Sequence, residues 1–176
     1  TAPYLPSAAT MAFRQTGNPE IAAGIGARWL YLGPDATKPA GLEPVFRSSQ
    51  GLREIYEVQL SPPATPMAIP KTRSPVDLDL SGMPDPRHSQ SGVAYPINLT
   101  LSEKLDGWVT PALVNSEGRV LNRLAPVTVR IDSEQARAYY LPPIEEGPFQ
   151  IQWLFAQDKE WTLLGEPMEA EYRFTP

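Results

Sequence analysis

Cysteine is absent from this chain of 176 residues, and His88 is its only histidine. Without thiols, disulfide-stapled scaffolds, thiolate zinc sites, iron–sulfur clusters and cysteine nucleophiles are excluded. Charge is also sparse: 20% of residues, 15 basic against 20 acidic, for a net charge of −5 and no basic stripe. That argues against a nucleic-acid partner, whose backbone needs such a stripe. No apolar run approaches the roughly 18 residues of a membrane span, so no transmembrane segment is expected. The chain begins at Thr1 without a methionine. This fits the removal of an export signal, or of a lipidated cysteine just ahead of residue 1. The expected setting is exported, either periplasmic or outer-membrane-tethered in a bacterium.

Proline is abundant instead, with 21 of 176 residues, 13 in 1–91 and 8 in 92–176. Helix interiors tolerate proline badly and central strands lose a hydrogen-bond donor to it. Long helices are nearly ruled out, and the N-terminal half should be poorer in regular structure. With 41% hydrophobic residues the chain can still bury one substantial core.

The strongest pattern lies at 148–156. Phe149, Ile151, Trp153 and Phe155 alternate, so they line one buried face of a strand. Gln150 and Gln152 take the other face, then give way to Leu154 and Ala156, as expected of a strand covered on both sides further along. Around it, 92–176 reads as short strands separated by Gly, Pro, Asn and Asp turns, the pattern of an antiparallel sandwich. Val93, Tyr95, Ile97, Leu99 and Leu101 alternate, with Pro96 marking an edge or bulge. Strands follow at 108–114, 119–124 and 127–131. One helical turn at 133–136 is expected before a strand at 138–141. Asp158-Lys159-Glu160 makes a hairpin into 161–164, and a last strand turns Met168, Ala170, Tyr172 and Phe174 inward.

The N-terminal part, 1–60, reads as strands and loops packed on that sandwich. Residues 1–9 form an extended leader and 10–15 a short strand. Asn18-Pro19-Glu20 suits a helix N-terminus, but Gly24 and Gly26 count against a helix interior. A loop followed by a strand at 27–32 is the preferred reading. Residues 33–51 are loop-like. At 53–60, Tyr56, Val58 and Leu60 face inward, and Ile55 stands out as an apolar residue on the outer side. Residues 61–91 form a proline-rich arm or linker in which Val76, Leu78 and Leu80 alternate as a possible edge strand. The fold class is therefore mainly β, an antiparallel immunoglobulin-like β-sandwich with an irregular proline-rich N-terminal layer.

Glu146-Gly147-Pro148-Phe149-Gln150-Ile151-Gln152-Trp153, with the hairpin and strand ending at Phe174, resembles the final hairpin of immunoglobulin-like and fibronectin-III-like domains. There a Gly-x-Tyr turn leads into an alternating strand; here Phe149 stands in place of the tyrosine. The resemblance covers about 146–174 and implies a fold that hosts many functions. Periplasmic copper-binding sandwiches end similarly, but their metal histidines have no counterpart in this chain.

Candidate chemistry is thin. His88 has no second imidazole or thiol to share a transition metal, and no Gly-x-Ser-x-Gly elbow accompanies it. Asp77 with Asp79, and Glu145 with Glu146, are the closest carboxylate pairs for glycosidase-type chemistry; solvated strand and turn residues explain them as well. Asp77, Asp79 and Asp85 match no calcium-loop spacing. Gly24-Ile25-Gly26-Ala27 lacks the third glycine of a nucleotide fingerprint, and Asn98-Leu99-Thr100 is a lone glycosylation triplet. Trp29, Trp108, Trp153 and Trp161 belong mostly to core and rim. Trp161, Tyr139 and Tyr140 are the candidates for stacking on a ligand. No catalytic residue, metal or cofactor is expected. The leading expectation is a non-enzymatic binding or assembly module, whose partner is another protein of an envelope or surface assembly. It would act through loops, strand edges or the arm, with Val76, Leu78 and Leu80 as partner-binding residues. A carbohydrate-binding module using exposed aromatics comes second, and a carboxylate-dependent hydrolase third.

Overall fold

The computed structural model describes residues 8–24, 27–81, 95–120, 128–140 and 147–172. They are mainly β, with antiparallel sheets and short helices near the N-terminus.

The described residues begin with two helices, α1 (Ala8–Thr16) and α2 (Pro19–Gly24), where the sequence suggested a strand and a loop; residues 1–7 of the expected leader lie outside them. Over six residues, alternation at 10–15 does not separate strand from helix. Here Ala12 and Phe13 are adjacent and both buried, which a half-covered strand would not allow. At α2 the cap forms: the Asn18 Oδ1 accepts from the Glu20 N–H at 2.9 Å, with Pro19 at the first helical position. Gly24 is not an interior residue but the helix end. A Cβ there would lie 2.7 Å from the Thr128 carbonyl oxygen, so the glycine lets helix and sandwich backbones touch.

A small sheet follows, made of β1 (Trp29–Leu32), β2 (Phe46–Arg47) and β3 (Glu54–Glu57) in the order β1-β3-β2. Residues 33–51 thus contain one short strand that their loop-like composition concealed. Leu30, Leu32, Tyr56 and Val58 turn inward onto the helices and sandwich, whereas Leu60, expected inside, is exposed.

The remaining strands are β4 (Leu78–Ser81), β5 (Tyr95–Leu101), β6 (Gly107–Val114), β7 (Val129–Ile131), β8 (Gln135–Tyr140), β9 (Gly147–Gln157) and β10 (Glu160–Tyr172). They form two sheets, β4-β5-β8 and β10-β9-β6-β7. Ile97, Leu99 and Leu101 meet Phe149, Ile151, Trp153 and Phe155 in one core cluster. Trp153 and Ile151 are wholly buried, and each such side chain contributes about 1.5–3 kcal/mol. Pro96 lies beyond the last β4 partner, Ser81↔Asn98, where its missing N–H is not needed on that side. The helical turn expected at 133–136 is absent, because Gln135 and Ala136 already pair with Thr100 and Leu99. The two C-terminal strands expected are one, β10, whose register shifts between Leu164 and Met168. Gly165 sits in that shift at φ 67°, a left-handed conformation suited to glycine. Gln152, expected outward, is buried there, its Nε2 donating to the Leu164 and Gly165 carbonyls at 3.2 and 3.3 Å.

The proline-rich arm lies along this second sheet. The Trp161 Nε1 donates to the Ala64 carbonyl at 2.9 Å, and the Val120 N–H to Met67 at 3.1 Å. Leu163 is bracketed by Thr72 and Ser74, and the Arg73 guanidinium reaches the Gly165 carbonyl at 2.5 Å and Glu166 at 3.0 Å. Ile69 packs with Ala112, Val114, Leu154, Trp161 and Leu163 in a second, smaller core. Both faces of β9 are therefore covered, as Leu154 and Ala156 implied.

Candidate functional site

In β1, residues two apart share a face, so Trp29 and Tyr31 point the same way. The register sets Tyr31 opposite Ile55, Ile55 opposite Phe46, and Trp29 opposite Glu57. Tyr31, Ile55 and Phe46 thus form a row across three strands, with Trp29 beside it. Leu30, Leu32 and Tyr56 occupy the reverse face against the core. The outer face is open: Trp29 is 52% exposed, Tyr31 66% and Phe46 52%. The Arg28 guanidinium lies 5.7 Å from the centre of the Trp29 ring, and that of Arg53 lies 5.7 Å from the centre of the Tyr31 ring. Such contacts are worth about 0.5–1 kcal/mol at exposed sites and hold the rings in place.

Polar contacts fix the sheet from behind. The Tyr56 hydroxyl donates to the Glu54 carboxylate at 2.6 Å, and Lys38 and Arg47 pair with the same carboxylate at 3.0 Å each. The Tyr56 hydroxyl, together with Lys38, holds the Glu54 carboxyl below its ordinary range. Burial, and then the negative charge of Glu54, pushes Tyr56 up to about 12.

The backbone of β1 is also asymmetric. The Val58 N–H donates to the Arg28 carbonyl at 2.8 Å, which makes 28 and 58 a hydrogen-bonded pair. In an antiparallel ladder such pairs alternate, so Leu30 and Leu32 bond to β3. The N–H and C=O groups of Trp29 and Tyr31 point away from it, and β1 is an edge strand of its sheet.

The residues singled out from the sequence lie elsewhere. Val76 is buried, and Leu78 and Leu80 are half-buried against the core, opposite Leu101 and Leu99. Trp161 is half-buried under the arm. Tyr139 and Tyr140 end β8 opposite Pro96 and Tyr95. His88, Asp85, Glu145 and Glu146 lie outside the described residues. A cleft of about 790 Å³ separates the end of α2 from Pro62 and Pro63, with Glu57 as the acidic residue in its lining. Among the described residues, no group of three or more His, Cys, Asp or Glu could hold a metal ion. No described helix is long and apolar enough to cross a membrane. The chain matches no family model, no curated protein and no solved structure. The aromatic row was missed by reasoning from sequence. The available signal was Ile55, the apolar residue out of phase in its strand.

Proposed function

We propose that this protein is a non-enzymatic binding module of an exported bacterial assembly, and that it recognises a protein partner with the outer face of its N-terminal sheet. One observation carries the reading: Trp29, Tyr31 and Phe46 share a face, each more than half exposed, with Arg28 and Arg53 against two of the rings. Tryptophan, tyrosine and arginine are the residues that concentrate binding energy at protein interfaces. A contiguous exposed apolar patch of this kind marks interaction surfaces. The sandwich supplies a rigid base, and the antiparallel sheets of three and four strands among the described residues are compatible with the immunoglobulin-like resemblance of 146–174. A second reading is stacking of sugar rings on Trp29 and Tyr31, favoured by their spacing along one strand. The guanidinium groups beside both rings favour the protein partner, because a sugar would have to displace them.

The test places a photo-crosslinking amino acid at position 31 and, as a control, at exposed position 117, in the native host. A discrete protein adduct is expected from position 31 and none from 117. Absence of any adduct at 31, with retained binding of the protein to a glycan array, would transfer the function to the second reading.

A further inference from the structure

Exposed strand edges invite pairing with other chains, and proteins guard them with shortness, charge, proline or cover. Among the described residues, most edges are guarded. β2 has two residues and β7 three. The free side of β10 is paired by Thr72 and Ser74 at Leu163. Asp79 stands exposed on β4, and Arg137 on β8. β1 is different: Trp29-Leu30-Tyr31-Leu32 has no charge, proline or bulge, yet it forms an edge with two half-exposed rings.

We propose that β1 accepts an added strand, and that its occupant is an extended acidic segment of a partner protein; this rests on the binding-face reading above. The outward N–H and C=O groups of Trp29 and Tyr31 supply a short ladder for strand addition. Alternate side chains of the added strand then stand beside Trp29 and Tyr31 on the outer face. There Arg28 and Arg53 flank the rings. Arg28 shares Glu57 at 3.4 Å with its side chain 72% exposed, and Arg53 has no carboxylate partner among the described residues. Carboxylates on that face of the occupant would meet both guanidinium groups. Charge also disfavours a second copy as occupant. Antiparallel pairing of two β1 strands would bring Arg28 of one copy toward Arg53 of the other.

The test uses the full chain with synthetic heptapeptides of alternating glutamate and valine, alternating lysine and valine, and the acidic peptide with alternate amide nitrogens methylated. Hydrogen exchange is read at the Trp29 and Tyr31 amides. The acidic peptide should slow both by at least about tenfold and bind several-fold more weakly as salt rises from about 50 to 500 mM. The lysine and methylated peptides should leave both amides unchanged. The double variant Arg28→Ala with Arg53→Ala should lose about tenfold in affinity while keeping a single cooperative melting transition. Unchanged exchange at millimolar acidic peptide overturns strand addition, as does equal binding of the methylated peptide. Protection of the same amides without peptide, together with a dimer in solution, overturns the acidic occupant in favour of self-pairing. The position-31 crosslink separates the two levels: an adduct there with unprotected amides leaves the binding face standing and removes only the added strand.

Discussion

Trp153 in β9 and Trp29 in β1 both sit at alternating positions of strands, yet Trp153 is wholly buried and Trp29 is 52% exposed. The difference comes from cover. The sheet around β9 has a second sheet on one face and the arm on the other. The sheet around β1 has the helices and sandwich on one face and nothing among the described residues on the other. Alternation fixes which side chains share a face, but the rest of the chain decides which faces are closed. In the sandwich, apolar area is consumed by folding; on the outer face of the small sheet it stays exposed.

Substitutions at four positions sharpen or break this contrast. Trp153→Ala should cost about 3–5 kcal/mol in chemical denaturation, as a large-to-small change in a closed core. Trp153→Phe should cost clearly less, because the indole N–H has no hydrogen-bond partner among the described residues. Equal losses would mean that the indole is not merely filling space. Gly24→Ala should cost about 1–3 kcal/mol as an overpacking change, since the new Cβ meets the Thr128 backbone where α2 joins the sandwich. A neutral result would separate the N-terminal layer from the core. Tyr56→Phe should cost about 1 kcal/mol at neutral pH by removing the hydroxyl donor to Glu54. Because Glu54 is held below its ordinary range, this stabilisation is present above that range and fades as pH falls through the lowered value. The gap between wild type and variant should therefore close in acid; a gap constant down to pH 2–3 would assign the cost to packing. Last, Trp29→Ser should cost no more than about 1 kcal/mol, the worth of an exposed ring and its contact with Arg28. A larger loss would show that the outer face is part of the core.

The strands of the sandwich could be read from sequence because Phe149–Phe155 and Ile97–Leu101 alternate strongly and their turns are marked by glycine, asparagine and aspartate. The Asn18 cap could be read too, but Gly24 was given the cost of an interior glycine when it terminates the helix. Gln152 was misplaced because its acceptors, the carbonyls at Leu164 and Gly165, exist only once the bulge has formed. The aromatic face was hidden for a related reason. Trp29 and Tyr31 look like core residues in any strand, and their exposure depends on where the loop at 33–51 and the arm run.

The guanidinium of Arg73 and the carbonyl of Gly165 are 92 residues apart in sequence. At a synthesis rate of about 5–20 residues per second, the arm emerges about 5–20 seconds before its docking strand exists. During that interval Thr72, Arg73 and Ser74 have no hairpin to pair with. Their prolines keep the segment extended but give it no partner. The contacts of Thr72, Arg73 and Ser74 with Leu163 and Gly165 can form only once β10 has been made, so this part of the fold closes late. A ribosome-bound chain lacking its last fifteen residues should leave residues 61–76 open to proteases that cannot cut the finished protein.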